Sequence, residues 1–244
     1  MNSASMPRQL LQLQLDGGEA VPAILKLPAV RPAPGVLLIH GFTSRKEAMA
    51  DSFGRALAVH GVASLAIDLP LHGAREGGIE GMSLRNPLAL VEKWRLAVKE
   101  TSSAVRYLAG HSAIDPRRIG LGGYSLGAFI GVIVAAESPL VRAIALAAGG
   151  DLPEATPFAS IVRAIADPLR AVRRLAGRPL LMVNGRHDRT IRPEQANALF
   201  AAAGEPKEQR WYDAGHWPQA RAINDAADWL AAHLGESAVR SRRA

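Results

Sequence analysis

A doubly wound α/β fold on a mostly parallel sheet is predicted by three features of this sequence. Short apolar runs alternate with longer segments of helical periodicity along almost the whole chain. A hairpin pattern precedes that alternation, which sets the first strands antiparallel to the rest. Finally, His40, Asp68, Ser125, Asp151, Asp188 and His216 all fall just past the ends of apolar runs. Open α/β sheets carry their chemistry at that rim.

The elements follow in order. Gln9 to Leu15 alternates partly, Gly17-Gly18 turns the chain, and Ala20 to Leu27 returns as a second strand. Pro28 to Pro34 is too proline-rich for helix. Gly35 to Ile39 is wholly apolar, as befits a strand covered on both faces. Lys46 to His60 has helical spacing through Met49, Phe53, Leu57 and Ala58, and Gly61 stands where a helix stops. Val62 to Leu69 is a fourth strand, followed by a polar, glycine-containing loop to Asn86. Pro87 to Leu108 spaces Leu90, Trp94, Val98, Val105 and Leu108 as an amphipathic helix. Asp115-Pro116 turns into a fifth strand ending at Tyr124, and a helix runs on to about Ala136. Val141 to Ala148 is the sixth strand. Residues 151–177, with three prolines and short helical pieces, break the alternation and read as a small cap-like insertion above the sheet. Pro179 to Gly185 is a strand, Pro193 to Ala203 a helix, Glu208 to Tyr212 a strand, and Ala220 to Leu234 a closing helix. Residues 236–244 are expected to be a disordered tail.

A chain of 244 residues with 48% hydrophobic content buries one large core, so residues 1–244 are expected to form a single domain. With no cysteine there is no disulfide framework, thiolate nucleophile or cysteine-ligated metal. That fits a reducing, cytoplasmic setting. No apolar run nears the roughly 20 residues of a membrane span, and Met1 to Gln14 lacks the apolar core of a signal peptide. The net charge of +7 comes from arginines scattered over helices, clustered only at Arg170 to Arg178 and at the tail. No aromatic residues interleave with them, so a nucleic-acid platform is not expected. The sequence carries no signal for oligomeric state.

The stretch that carries chemistry is Gly123-Tyr124-Ser125-Leu126-Gly127, between the fifth strand and the next helix. A serine on so sharp a turn projects clear of the sheet, while strand and helix pass so closely that Gly123 and Gly127 must lack side chains. His40-Gly41-Phe42 follows the third strand, Asn184-Gly185-Arg186-His187-Asp188 the seventh, and Gly215-His216 the eighth. Together these pieces resemble the α/β-hydrolase fold, in its small dienelactone-hydrolase-like and prolyl-oligopeptidase-like serine esterases, from about residue 20 to 234. The order Ser…Asp…His is the one that fold uses. The nucleophile is serine where dienelactone hydrolases carry cysteine, which favours ordinary esters. These 244 residues do not include the large N-terminal propeller usual in prolyl peptidases, so an ester is expected ahead of a peptide.

The resemblance implies Ser125 as nucleophile, His216 as its base and Asp188 as the acid that orients the imidazole. Asp151, at the end of the sixth strand, is the rival acid. Asp68 is expected to bond its own loop, and Asp213 stands too near His216 in sequence. His233 lies within the last helix, and His60 and His111 sit at helix ends. The oxyanion donors are the backbone N–H groups of Phe42 and Leu126. His40 reads as a structural hydrogen bonder in its turn. Thr43, Tyr124, Phe158 and Trp217 are candidates for the substrate pocket, whereas Trp94 and Trp211 read as core. His72 and His187 raise the question of a metal, but no cysteine or paired-histidine motif supports one, and phosphate and dinucleotide fingerprints are absent. No cofactor is expected. The implied activity is hydrolysis of small or medium carboxylic esters. Thioesters or acyl-peptide amides are the alternative substrates, and a hydrolase-fold ligand-binding protein is the alternative of another class.

Overall fold

The computed structural model describes residues 6–16, 18–78, 86–153, 156, 159–175 and 177–235. Eight strands form one sheet: β1 (Arg8–Gln14), β2 (Ala20–Lys26), β3 (Ala33–Ile39), β4 (Ala63–Ile67), β5 (Ile114–Tyr124), β6 (Val141–Ala147), β7 (Leu180–Gly185) and β8 (Lys207–Tyr212). Their order across the sheet is β1-β2-β4-β3-β5-β6-β7-β8. β2 is antiparallel to both β1 and β4, and every other pairing is parallel. The expected sheet is thus present. β5 begins earlier than expected, since Ile114 already pairs with Ala33 before the register shifts and Gly35 meets Ile119.

The period of two along the buried strands divides the core. Leu25, Leu37, Ile39, Leu65 and Ile67 face one side, and Ile24, Val36, Leu38 and Ala66 the other. The first side is covered by α3 (Pro87–Gly110), α4 (Leu126–Glu137), α6 (Pro168–Arg173) and α7 (Pro193–Ala202), through Leu108, Ile130, Val172 and Leu199 among others. The second is covered by α1 (Lys46–Asp51), α2 (Phe53–Val59) and α8 (Ala220–His233), through Met49, Phe53, Leu57, Trp229 and Leu230. Burying a side chain of that size contributes about 1.5–3 kcal/mol, so these two layers hold the sheet rim in place. α5 (Ala159–Ala166) joins the first layer through Ala166, while its Val162 makes a separate small cluster with Phe129, Leu152 and Ile191.

The one helix expected over Lys46 to His60 is two. Ser52 has ψ near −83° and its hydroxyl bonds the Ala48 carbonyl, which bends the helix there. The backbone bonds from Ser52 to Ala48 and from Ala56 to Ser52 survive the bend. α3 starts where Asn86 caps it, its side-chain oxygen accepting from the Leu88 and Ala89 amides. Among the described residues no helix is long and apolar enough to cross a membrane. The expected tail at 236–244 lies outside the described residues.

Candidate active site

β5 ends in a sharp turn at Ser125, flanked by two glycines with no room for a Cβ. Ser125 has φ 51° and ψ −113°, a strained backbone that a side-chain-bearing residue adopts rarely. Its N–H bonds the Ala147 carbonyl at the end of β6, and its own carbonyl accepts from Ala128, opening α4. A Cβ on Gly123 would lie 2.4 Å from the Gly127 carbonyl oxygen, and one on Gly127 would lie 2.2 Å from that of Ile39. The helix start is therefore pressed against the end of β3. Gly41 is as tight, for a Cβ there would meet the Tyr124 ring at 2.7 Å.

Three loops then converge. Ser125 Oγ is 2.9 Å from His216 Nε2, and His216 Nδ1 is 2.8 Å from Asp188 Oδ2. An ionised carboxylate only accepts, so Nδ1 carries the hydrogen and Nε2 offers its lone pair to the serine hydroxyl. Asp188 Oδ1 accepts from the Thr190 and Ile191 amides at 2.8 and 2.9 Å. Burial pushes the Asp188 carboxyl up, but the His216 bond and these two amides outweigh it and hold it below the usual range. The Tyr124 ring lies 5.4 Å from the imidazole and backs it.

The other candidates are engaged elsewhere. Asp151 is forked onto Arg163 of α5, both bonds at 2.8 Å, and also accepts from the Leu152 amide. Asp213 meets the exposed His187 at 2.6 Å. Asp68, fully buried, accepts from the Lys46 amide, the Lys46 ammonium and the Ala74 amide, tying the loops after β3 and β4 together. His233 stacks on Trp229 with ring centres 3.9 Å apart, and His60 pairs with Asp228. His40 Nε2 accepts from the Leu69 amide at 3.0 Å, so Nδ1 carries the hydrogen and donates to the Gly41 carbonyl. Among the described residues no group of three or more His, Asp or Glu side chains is placed to hold a metal ion.

Ser125 opens onto a cavity of about 560 Å³. Its walls are apolar: Leu90, Trp94 and Ala97 from α3, Phe129 from α4, and Val162 and Ile165 from α5. Phe42 and Leu126, whose amides were expected to face an oxyanion, both border it. So does His72, whose Nδ1 donates to the Pro70 carbonyl while its buried Nε2 has no partner among the described residues.

Three of the pocket residues read from sequence lie off this cavity. Thr43 is exposed at φ 60°, Tyr124 lies behind His216, and Trp217 rests 65% exposed on the Tyr124 ring. None of the three borders the cavity. Phe158 lies outside the described residues. Trp94, read as core, does pack against it and also forms part of the cavity wall. Helical spacing alone put it on the apolar face of α3, but that face meets an empty space along part of its length.

The sequence profile described as the alpha/beta hydrolase family matches residues 36–179. The chain is 26% identical over 196 residues to the esterase YjfP of Escherichia coli (strain K12), covering 71% of this chain and 76% of that protein. It is 27% identical over 180 residues to an uncharacterized protein of Mycobacterium tuberculosis, covering 71% of this chain and only 59% of that relative's length. In structure it is similar to a cold-adapted esterase from an Arctic intertidal metagenomic library, with a TM-score of 0.74 at 22% identity, over 95% of this chain and 96% of that one.

Proposed function

This chain belongs to the alpha/beta hydrolase family, and on that basis we propose that it is a serine hydrolase cleaving carboxylic esters of small or medium size. One observation carries the reading: the Ser125–His216–Asp188 row ends on an apolar cavity.

In the proposed reaction the Ser125 oxygen attacks the ester carbonyl as its proton passes to His216 Nε2. The imidazolium so formed keeps its Nδ1–H on Asp188, whose carboxylate stabilises the charge. The oxyanion is met by the Phe42 and Leu126 amides, a role supported by both residues bordering the cavity that Ser125 opens onto. Leu126 is the first residue of α4, so its N–H has no partner within the helix and is free for that role. The alcohol departs with the proton from Nε2, leaving an acyl-enzyme. Water gives a proton to Nε2, attacks the acyl carbon and releases the acid, and the proton returns to Ser125.

α5 serves as a cover over the cavity through Val162 and Ile165, pinned by the Asp151–Arg163 fork. A cavity of about 560 Å³ is within the usual range for one small molecule. Its apolar wall suits the acyl group, and an acyl thioester would follow the same steps.

The test is cleavage of p-nitrophenyl butyrate by the wild type and by Ser125→Ala, with labelling by a fluorophosphonate probe. The substitution is expected to abolish labelling and lower kcat by roughly 10⁶-fold. Equal rates in the two proteins would overturn the reading.

A further inference from the structure

Resting on the serine-hydrolase reading, we infer that Trp94 closes the far end of the acyl cavity and so sets the chain length that the enzyme accepts. A second cavity, of about 610 Å³, lies between α3 and α4. It is lined by Val98, Ile133 and Leu140 together with the cations Arg95, Lys99 and Arg106. The two cavities share Trp94 and Ile165 and, among the described residues, no other side chain.

The geometry of α3 explains the sharing. Side chains three and four apart stack along one helix face. Leu90, Trp94 and Ala97 follow one such line and border the Ser125 cavity, whereas Trp94, Val98, Ser102 and Arg106 follow another and border the second. Trp94 stands where the lines cross, and Ile165 of α5, 37% exposed, borders both cavities with it. The pair is a partition between a space that begins at the nucleophile and a space beyond.

The indole is not there to make a hydrogen bond. Its buried Nε1 has no partner among the described residues, although a buried indole N–H usually finds one. Bulk is what this side chain supplies. An unbranched acyl group seated on Ser125 runs along the apolar wall until it meets the ring, so short and medium chains fit and long ones do not. With the ring removed, the chain runs on over Val98, Ile133 and Leu140.

A purely structural role makes a different prediction. Trp94 also packs against the main core and the small cluster under α5, so its loss lowers stability and reduces all rates in proportion to the folded fraction. A ratio of specificity constants is blind to that loss.

The experiment uses the full chain and p-nitrophenyl esters of butyrate, octanoate, dodecanoate and hexadecanoate. Wild type, Trp94→Ala, Trp94→Phe and Ile165→Ala are compared by the dodecanoate-to-butyrate ratio of kcat/KM. Since one methylene in an apolar pocket is worth about tenfold or more in discrimination, the ratio is expected to rise at least tenfold in Trp94→Ala. It should rise less in Ile165→Ala and stay near wild type in Trp94→Phe. If Trp94→Ala does not fold, Ile165→Ala and Trp94→Leu decide the question. Wild-type ratios in the folded variants, alongside Ser125-dependent cleavage of butyrate, overturn the inference and leave the serine-hydrolase reading standing. A wild type that cleaves no ester overturns both.

Discussion

Acid should weaken this protein through His40, and the size of the effect follows from its surroundings. The side chain is fully buried, and Nε2 takes the Leu69 N–H. Protonating Nε2 would set a donor against a donor. Burial is the largest influence and favours the neutral ring; the Gly41 carbonyl opposes it, His72 adds to it, Asp68 opposes it and Lys46 adds to it. The net result is a pKa of about 4, against 6.5 in the ordinary state. As the pH falls, the unfolded chain binds this proton first. The stabilisation is therefore complete above pH 6.5 and is lost progressively down to about pH 4. The gap corresponds to about 3 kcal/mol. Urea unfolding at a series of pH values should show it when wild type is compared with His40→Gln, whose amide oxygen can still accept from Leu69. The variant is expected to be less stable near neutrality, with its deficit shrinking by about 3 kcal/mol towards pH 4. Curves that stay parallel over that range would refute the neutral, hydrogen-bonded assignment.

Three further outcomes are expected. Asp188→Asn should lower kcat about 10⁴-fold by leaving His216 in the wrong tautomer, whereas Asp151→Asn, whose partner is Arg163, should stay within about tenfold; steady-state kinetics separates the two acids. Gly127→Ala would drive a Cβ to within 2.2 Å of the Ile39 carbonyl oxygen, and the displaced elbow should cost about a hundredfold in kcat, read from the fluorophosphonate labelling rate as well. Arg75→Met would strand Glu100, which is 1% exposed and forked onto Arg75, at a cost of about 3–5 kcal/mol in urea unfolding. Arg75→Met combined with Glu100→Leu should recover most of that loss.

Much of the fold is legible in the chain because buried parallel strands must be continuously apolar. Gly35 to Ile39 and Leu180 to Gly185 cannot be mistaken for surface segments. The row at the rim is legible for a related reason: Gly123 and Gly127 are required by contacts of about 2 Å, so the motif is a packing statement as much as a chemical one. What stays hidden depends on neighbours far away in sequence. Asp151 and Asp188 both follow strands, and only the position of Arg163 shows that the first is already occupied. Trp217 sits beside His216 in the chain yet turns outward over Tyr124, while Trp94, distant from Ser125 in sequence, borders its cavity. Periodicity reports that one face of a helix is apolar and is silent on whether side chains or a void lie opposite. The bend at Ser52 is similarly invisible, since both halves of the helix keep one spacing.

On the proposed reading, the reacting groups and the cavity wall belong to separate parts of the molecule. Ser125, Asp188 and His216 hang from strand ends locked by the sheet, whereas Trp94, Val162 and Ile165 ride on helices that contribute nothing to the proton path. Mutational drift in α3 or α5 is therefore free to retune which compounds are accepted while leaving bond-breaking intact.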